Sequence, residues 1–152
     1  MLLSGVAVAA CGGGEIEAVT MTCAEITADL DARRADMVTT QSGLMYEELA
    51  KGRGKAAEAG QQVYTHYTLC STDANEIDSS LAPDRGEPFP FVLGAGGVIL
   101  GYDEGITGMK VGGRRILVLP PAIGYGAQTL EGQARGTDLV YHVQLMSIGS
   151  SE

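Results

Sequence analysis

The chain has 152 residues and a formal net charge of −9, with ten lysines and arginines against nineteen aspartates and glutamates. Nucleic acids and anionic lipid surfaces are bound through clustered basic side chains, so this acidic balance argues against both classes of partner. With 45% hydrophobic residues and 22 glycines, the composition is typical of one turn-rich globular domain with an extension. No run of 18 apolar residues occurs, so no membrane-spanning helix is predicted.

Residues 1–21 resemble an export signal followed by a tether. The opening MLLSGVAVAAC is an apolar run of signal-peptide length that ends in small residues, although it lacks the usual basic start. VAAC has the pattern of a bacterial lipobox, which makes Cys11 a candidate lipidation site and predicts a periplasmic or cell-surface, lipid-anchored protein. Two alternatives stay open: a thylakoid-lumen transit peptide with cleavage near Ala10, and an ordinary N-terminus.

The cysteines and histidines are spaced too irregularly to indicate a metal site. Cys11, Cys23 and Cys70 form no CxxC motif, and His66 and His142 lie far apart in predicted strands. We therefore expect no zinc, and we predict no cofactor. Cys70 is interpreted as a buried free thiol within a strand, and a Cys11–Cys23 disulfide is open in an oxidising compartment.

Residues 22–41 are predicted to form a helix and a linker. One short helix is expected from Thr22 to Met37, because Thr22 and Glu25 have the spacing of a capping box. Its apolar positions recur at helical spacing, at Ile26, Leu30 and Met37. We expect this helix to pack loosely on the domain, with a dimerisation arm as the alternative, and residues 38–42 to be a polar linker.

Residues 42–149 form the predicted main domain, in which the hydrophobic pattern changes to a period of two. Strands are predicted at residues 43–49, 62–71, 88–93, 114–119 and 139–148. Between the third and fourth of these, a short amphipathic helix is predicted from Val98 to Ile106, ended by Gly108. One helix against an antiparallel sheet is an α+β architecture.

Several motifs follow one another through this domain at short spacing: VYTHYTLC, IDSS, PFPFVLG, GVILGYDEG, MKVGGRRILVLPP and IGYGA. In this order they resemble the FKBP family of peptidyl-prolyl cis-trans isomerases. The resemblance implies a half-barrel of five or six antiparallel strands wrapped around one short helix. It also implies a rotamase that acts as a folding catalyst or chaperone for exported proteins, with proline-containing polypeptides as substrates and macrolides as candidate ligands.

The resemblance further implies a pocket, position by position. The positions expected to be catalytic are Tyr67, Asp78, Phe89, Ile99 and Tyr125. The positions expected to bind substrate are Ile77, Arg85, Val98, Tyr102, Leu130 and Tyr141. In the family pattern the Ile99 N–H and the Tyr125 hydroxyl donate to substrate carbonyls, Asp78 accepts hydrogen bonds in a network with Tyr67 and Arg85, and Phe89 forms an apolar wall.

Such a site needs no nucleophile. Rotation about an X-Pro bond has a barrier of about 18–20 kcal/mol because amide resonance is lost. The planar amide carries more charge separation than the twisted transition state, so an apolar pocket that excludes water favours the twisted form. Donors that hold the substrate carbonyl and a type VI turn geometry add to this preference.

Some positions depart from the family pattern. Ile77 stands where an aromatic residue is usual, Tyr102 replaces a tryptophan, and Tyr141 replaces a phenylalanine. The segment GAQTLEGQARGTD lacks the usual Ile-Pro-Pro closure, with Leu130 as the candidate replacement. These departures support a second hypothesis, a weakly active or inactive binding subunit of a larger, membrane-associated complex. An open apolar groove among the predicted aromatic side chains would favour the enzyme.

Overall fold

The computed structural model describes residues 16–82, 84–125 and 137–149. The described elements, in chain order, are α1 (Cys23–Thr27), α2 (Leu30–Arg34), β1 (Val38–Thr39), β2 (Met45–Ala50), β3 (Gln62–Ser71), β4 (Glu76–Ser79), β5 (Phe89–Val92), α3 (Leu100–Ile106), β6 (Arg114–Leu119), a 3-10 turn (Pro121–Ile123) and β7 (Leu139–Ile148). No helix within these ranges is long and apolar enough to span a bilayer.

The seven described strands form one antiparallel sheet in the order β1-β2-β6-β7-β3-β4, and β5 also pairs with β3. Strands β3 and β7, of ten residues each, pair along nearly their whole length. The predicted α+β class is confirmed, and β3, β6 and β7 have their predicted bounds. Strand β2 begins two residues later than predicted because Gly43 has φ 96°, outside the extended region.

The concave face of the sheet packs against α3. Glycines at two helical positions allow this close approach, since a Cβ atom at Gly101 would collide with Leu119 and one at Gly105 with Leu117. The helix begins at Leu100, later than the predicted Val98, because its N-cap residue, Ile99, is still extended. The main hydrophobic core therefore lies between α3 and the concave sides of β3, β6 and β7.

The opposite, convex face is covered by the N-terminal extension. Eight buried residues from the extension and the sheet form this second cluster: Cys23, Ile26, Leu30, Met37, Cys70, Ile116, Val118 and Val140. Cys23 and Cys70 form a disulfide bond. The interpretation of Cys70 as a free thiol is therefore wrong, and so is a Cys11–Cys23 pair. Cysteine pairing depends on how the extension docks on β3, which the local sequence pattern does not reveal.

The single helix predicted from Thr22 to Met37 is in fact two helices. The capping box is present, with the Glu25 N–H donating to Thr22 Oγ1 at 3.2 Å. The chain then turns at Asp29, whose φ of 50° is left-handed. Arg33 holds the turn by donating to the Ile26 carbonyl at 2.9 Å.

The extension is also packed more tightly than predicted. Ile26 is fully buried. The predicted linker contains β1, which pairs with β2. Beyond β1, Thr40 Oγ1 donates to Glu104 Oε1 of α3 at 2.6 Å. Polar residues read as linker are thus bound to the domain by backbone pairing and side-chain hydrogen bonds.

Candidate functional site

Five aromatic rings from three strands and α3 cluster on the concave face. Tyr67, Phe89, Tyr102 and Tyr141 form the floor and one wall of the site, and Phe91 packs behind them in the main core. The ring centroids of the contacting pairs lie 5.1–6.0 Å apart, mostly in edge-on or tilted geometry. Such geometry is favoured by the ring quadrupoles. The rings come together because the alternating side chains of β3, β5 and β7 point to the concave face, where α3 supplies Tyr102.

Tyr102 lies at the base of this cluster and is almost fully buried. Its hydroxyl forms a 2.6 Å hydrogen bond with Thr65 Oγ1, which supplies the partner that a buried tyrosine requires. Burial raises the pKa of the Tyr102 hydroxyl, and it does the same for Tyr141, which is also bonded to Tyr125. Both tyrosines are therefore neutral at physiological pH, so the floor of the site carries no charge.

Above this floor is an open cavity of about 400 Å³, within the range of small-ligand sites. Eight of the predicted site residues line it: Tyr67, Asp78, Phe89, Val98, Ile99, Tyr102, Tyr125 and Tyr141. The groove whose presence was proposed to favour the enzyme therefore exists.

Three further residues line the cavity without having been predicted: Leu69, Gly96 and Gly97. Leu69 follows Tyr67 by two positions on β3, so the period of a strand could have identified it. The two glycines belong to the GAGG turn. They could be read as turn residues from the sequence, but not as part of the wall.

A polar network occupies one side of the cavity. The Tyr67 hydroxyl donates to Asp78 Oδ2 at 2.6 Å, and Arg85 Nη1 donates to Asp78 Oδ1 at 3.0 Å. The Ser79 N–H also donates to Asp78 Oδ1, at 2.9 Å. Burial, followed by the bond to Asp78, raises the pKa of Tyr67 to about 12. Tyr67 is thus a fixed donor that orients the carboxylate.

The remaining predicted positions lie elsewhere. Arg85 lines a neighbouring groove and is linked to the cavity through its bonds to Asp78 and, at 3.5 Å, to the Tyr67 hydroxyl. Ile77 packs against the main core and does not line the cavity. Leu130 and Cys11 lie outside the described residues.

At the rim of the cavity, Ile99 presents its backbone. Its carbonyl accepts from the N–H groups of Tyr102 and Asp103, each at 3.1 Å, at the first turn of α3. Its own N–H has no acceptor within the described ranges. A donor held at a fixed helix start can bind a carbonyl group placed in the cavity.

Comparison with known proteins agrees with this geometry. A family model described as FKBP-type peptidyl-prolyl cis-trans isomerase matches residues 53–146. The chain is 41% identical over 107 residues to an FK506-binding protein of Neisseria meningitidis serogroup B, covering 70% of this chain and 96% of that protein. It is 40% identical over 121 residues to FK506-binding protein 4 of Mycosarcoma maydis, covering 78% of this chain but only 32% of that longer protein.

The fold is shared with a solved structure of similar sequence. FkpA from Escherichia coli aligns with a TM-score of 0.67 and 30% identity, covering 86% of this chain and 64% of that chain. A family-model match over more than half of the chain, a relative matched along nearly its whole length, and an aromatic cavity at the matching positions all agree. The chain belongs to the FKBP-type peptidyl-prolyl cis-trans isomerase family.

Proposed function

We propose that this chain catalyses cis-trans isomerisation of X-Pro peptide bonds in exported proteins. The observation that carries this proposal is the open cavity of about 400 Å³ whose walls are aromatic and whose polar groups are confined to one side and the rim. This arrangement accepts a proline ring over Tyr102 while leaving the preceding peptide bond next to donors. It requires no group that forms or breaks a covalent bond.

Catalysis would then come from differential solvation and orientation. Phe89 and Tyr102 replace water around the amide, which removes solvation that favours the planar form. The Ile99 N–H holds a substrate carbonyl, and the Tyr125 hydroxyl at the rim can donate to a second. Asp78 keeps the polar side of the cavity in place through Tyr67 and Arg85, so the substrate meets a preorganised surface.

Export is the second part of the proposal. The Cys23–Cys70 disulfide supports it, since disulfides persist mainly in oxidising compartments. The apolar opening of the chain supports it as well. Mass spectrometry of the native protein tests the route: a diacylglyceryl group on Cys11 indicates a lipid anchor, and an unlipidated chain cleaved near Ala10 indicates lumenal targeting. Recovery of an unmodified chain that keeps Met1 to Ala10 would reject both.

The activity is tested on the full chain with a Leu-Pro peptide, by two-dimensional NMR exchange between the cis and trans forms. We expect the chain to accelerate exchange and FK506, the compound named in its relatives, to inhibit it competitively. Undetectable exchange would reject the enzyme. If the peptide still bound under those conditions, the binding-subunit hypothesis would become the better account.

A further inference from the structure

A second recess, of about 440 Å³, adjoins the candidate site. Tyr67 and Phe89 line both the cavity and this recess, so the two meet at these rings. We call the second recess the flanking groove. Phe89 is 37% exposed, which leaves part of its ring available on the groove side. A peptide that places proline in the cavity therefore passes beside this groove.

The wall of the flanking groove is apolar. Pro88 and Pro90 stand on either side of Phe89 in the sequence, and all three line the groove. Neither proline carries a backbone N–H, so this stretch offers ring carbons rather than donors. Such a surface suits the aliphatic stem of a long side chain, whose charged end can remain in water.

Acidic side chains outnumber basic side chains around the groove. Arg85 is paired with Asp78, at 3.0 Å. Asp84 and Glu87 also line the groove, and both are exposed. Neither has an ion-pair partner among the described residues. Three carboxylates against one guanidinium leave a net charge of −2, and His66, which lies near Glu87, does not offset it because burial lowers its pKa.

We propose that the flanking groove binds a lysine or arginine side chain close to the X-Pro dipeptide of the substrate, which makes Asp84 and Glu87 specificity-determining residues. The stem of the basic side chain packs on Phe89 and Pro88, and its charged end lies near the two carboxylates. This inference rests on the proposed function, since it defines which polypeptides that same site prefers. An extended peptide advances about 3.3 Å per residue, so a side chain one or two positions from the dipeptide can reach an adjoining recess.

The test uses peptides that share one Leu-Pro dipeptide and differ only by Lys, Gln or Glu, placed one or two positions before or after it. Exchange NMR gives kcat/KM for each peptide on the full chain. In at least one position we expect Lys to exceed Glu by about 3- to 10-fold at low salt, the size expected from two exposed charges. The ratio should shrink at 0.5 M salt because the charges are exposed to solvent.

The double variant Asp84→Asn, Glu87→Gln should bring the Lys-to-Glu ratio close to one. A matched control removes one carboxylate in the β3–β4 turn and one at the start of β4, Asp73→Asn with Glu76→Gln, which changes the net charge of the chain equally. The control should keep both the ratio and the rate. If the control lowered the ratio as much as the groove variant, the preference would belong to the overall charge and the groove would be rejected.

The outcomes separate this inference from the proposed function. Turnover of the Gln peptide with equal rates for Lys and Glu would overturn the inference and leave the isomerase standing. If no peptide were turned over, the isomerase proposal would be rejected, and fluorescence anisotropy of the same peptides would then test whether the groove binds a basic side chain. Tighter binding of the Lys peptide that the groove variant abolishes would support it, and equal affinities would overturn it.

Discussion

The two faces of the sheet are formed by the same strands, but one is covered by the N-terminal extension and the other carries the aromatic cavity. On the convex face, the N-terminal extension buries an aliphatic cluster and is joined to β3 by the Cys23–Cys70 disulfide. On the concave face, the packing of aromatic rings against α3 leaves a cavity of about 400 Å³. The convex face is covered by a segment that lies outside the matched family region, whereas the concave face keeps a cavity in which a substrate would fit.

Strand β7 shows how the division is made. Tyr141 faces the cavity, while its neighbours Val140 and His142 face the extension. Successive side chains of a strand point to opposite faces, so residues that line the cavity alternate along β7 with residues that pack against the extension. Changes to the convex face should therefore alter stability alone, and changes to the concave rim should alter activity with little effect on stability.

The largest expected effect comes from removing the disulfide. Cys23→Ala with Cys70→Ala opens a link between residues 47 positions apart, and chain entropy predicts a loss of about 4 kcal/mol in the free energy of unfolding. Urea unfolding measures the loss. At a temperature where circular dichroism shows the variant to be folded, kcat/KM for a Leu-Pro peptide should match that of the parent chain.

Reduction of the parent chain with dithiothreitol provides the control, since it breaks the same bond without changing side-chain volume. Both treatments should lower stability by similar amounts. A loss of activity at full folding would show that the convex face supports the site, contrary to the separation argued above.

The next largest effect is a loss of stability at low pH that arises from His142 on the convex face. His142 is buried beside Arg114, and burial, aided by this cation, lowers its pKa to about 4. The unfolded chain has the ordinary value of 6.5, so it binds more protons than the folded chain between these values. The free energy of unfolding therefore has nearly its full value above pH 6.5. It falls as the pH drops toward 4, by about 2 kcal/mol between pH 7 and pH 5.

Urea unfolding of the parent chain and of His142→Gln at several pH values tests this. The variant should show a shallower decline over that interval, since His66 and the carboxylates are common to both chains. Parallel declines would assign the acid sensitivity to other groups.

Phe89→Ala tests the concave rim. The substitution opens the cavity to water and removes the ring shared with the flanking groove. We therefore expect kcat/KM for a Leu-Pro peptide to fall about tenfold or more, which corresponds to a loss of about 1.4 kcal/mol or more in transition-state stabilisation. Stability should change less than for a core phenylalanine because this ring is 37% exposed. Val92→Ala is the control, an exposed residue of the same strand on its other side. An unchanged rate for Phe89→Ala would contradict the isomerase proposal.

Much of the concave face could be predicted from the sequence because its residues follow local patterns. Strand periodicity located β3, β6 and β7, and the resemblance of the ordered motifs to the FKBP family implied that Tyr67, Asp78 and Phe89 share one pocket, where the structure places them. The convex face was missed because its determinants are non-local. The docking of the extension on β3 and the Cys23–Cys70 bond depend on contacts between distant segments.

Two further errors have conformational causes. The break at Asp29 required a left-handed residue that helical spacing alone does not signal. Ile77 was expected in the cavity but packs against the main core, on a strand whose register with β3 is irregular. Both features depend on backbone geometry that the residue pattern leaves undetermined.

The smallest effect is expected for Tyr125→Phe. It removes one hydroxyl donor at the rim and keeps the ring, so kcat/KM should fall by about fivefold, equivalent to roughly 1 kcal/mol. The same change removes the partner of the buried Tyr141 hydroxyl, which lowers stability for a separate reason. The double variant Tyr125→Phe, Tyr141→Phe separates the two effects, because it leaves neither hydroxyl unpaired. Recovery of stability without recovery of rate would identify Tyr125 as a donor to substrate. If the double variant recovered both, the hydroxyl would act only by holding Tyr141, and substrate orientation would rest on Ile99 alone.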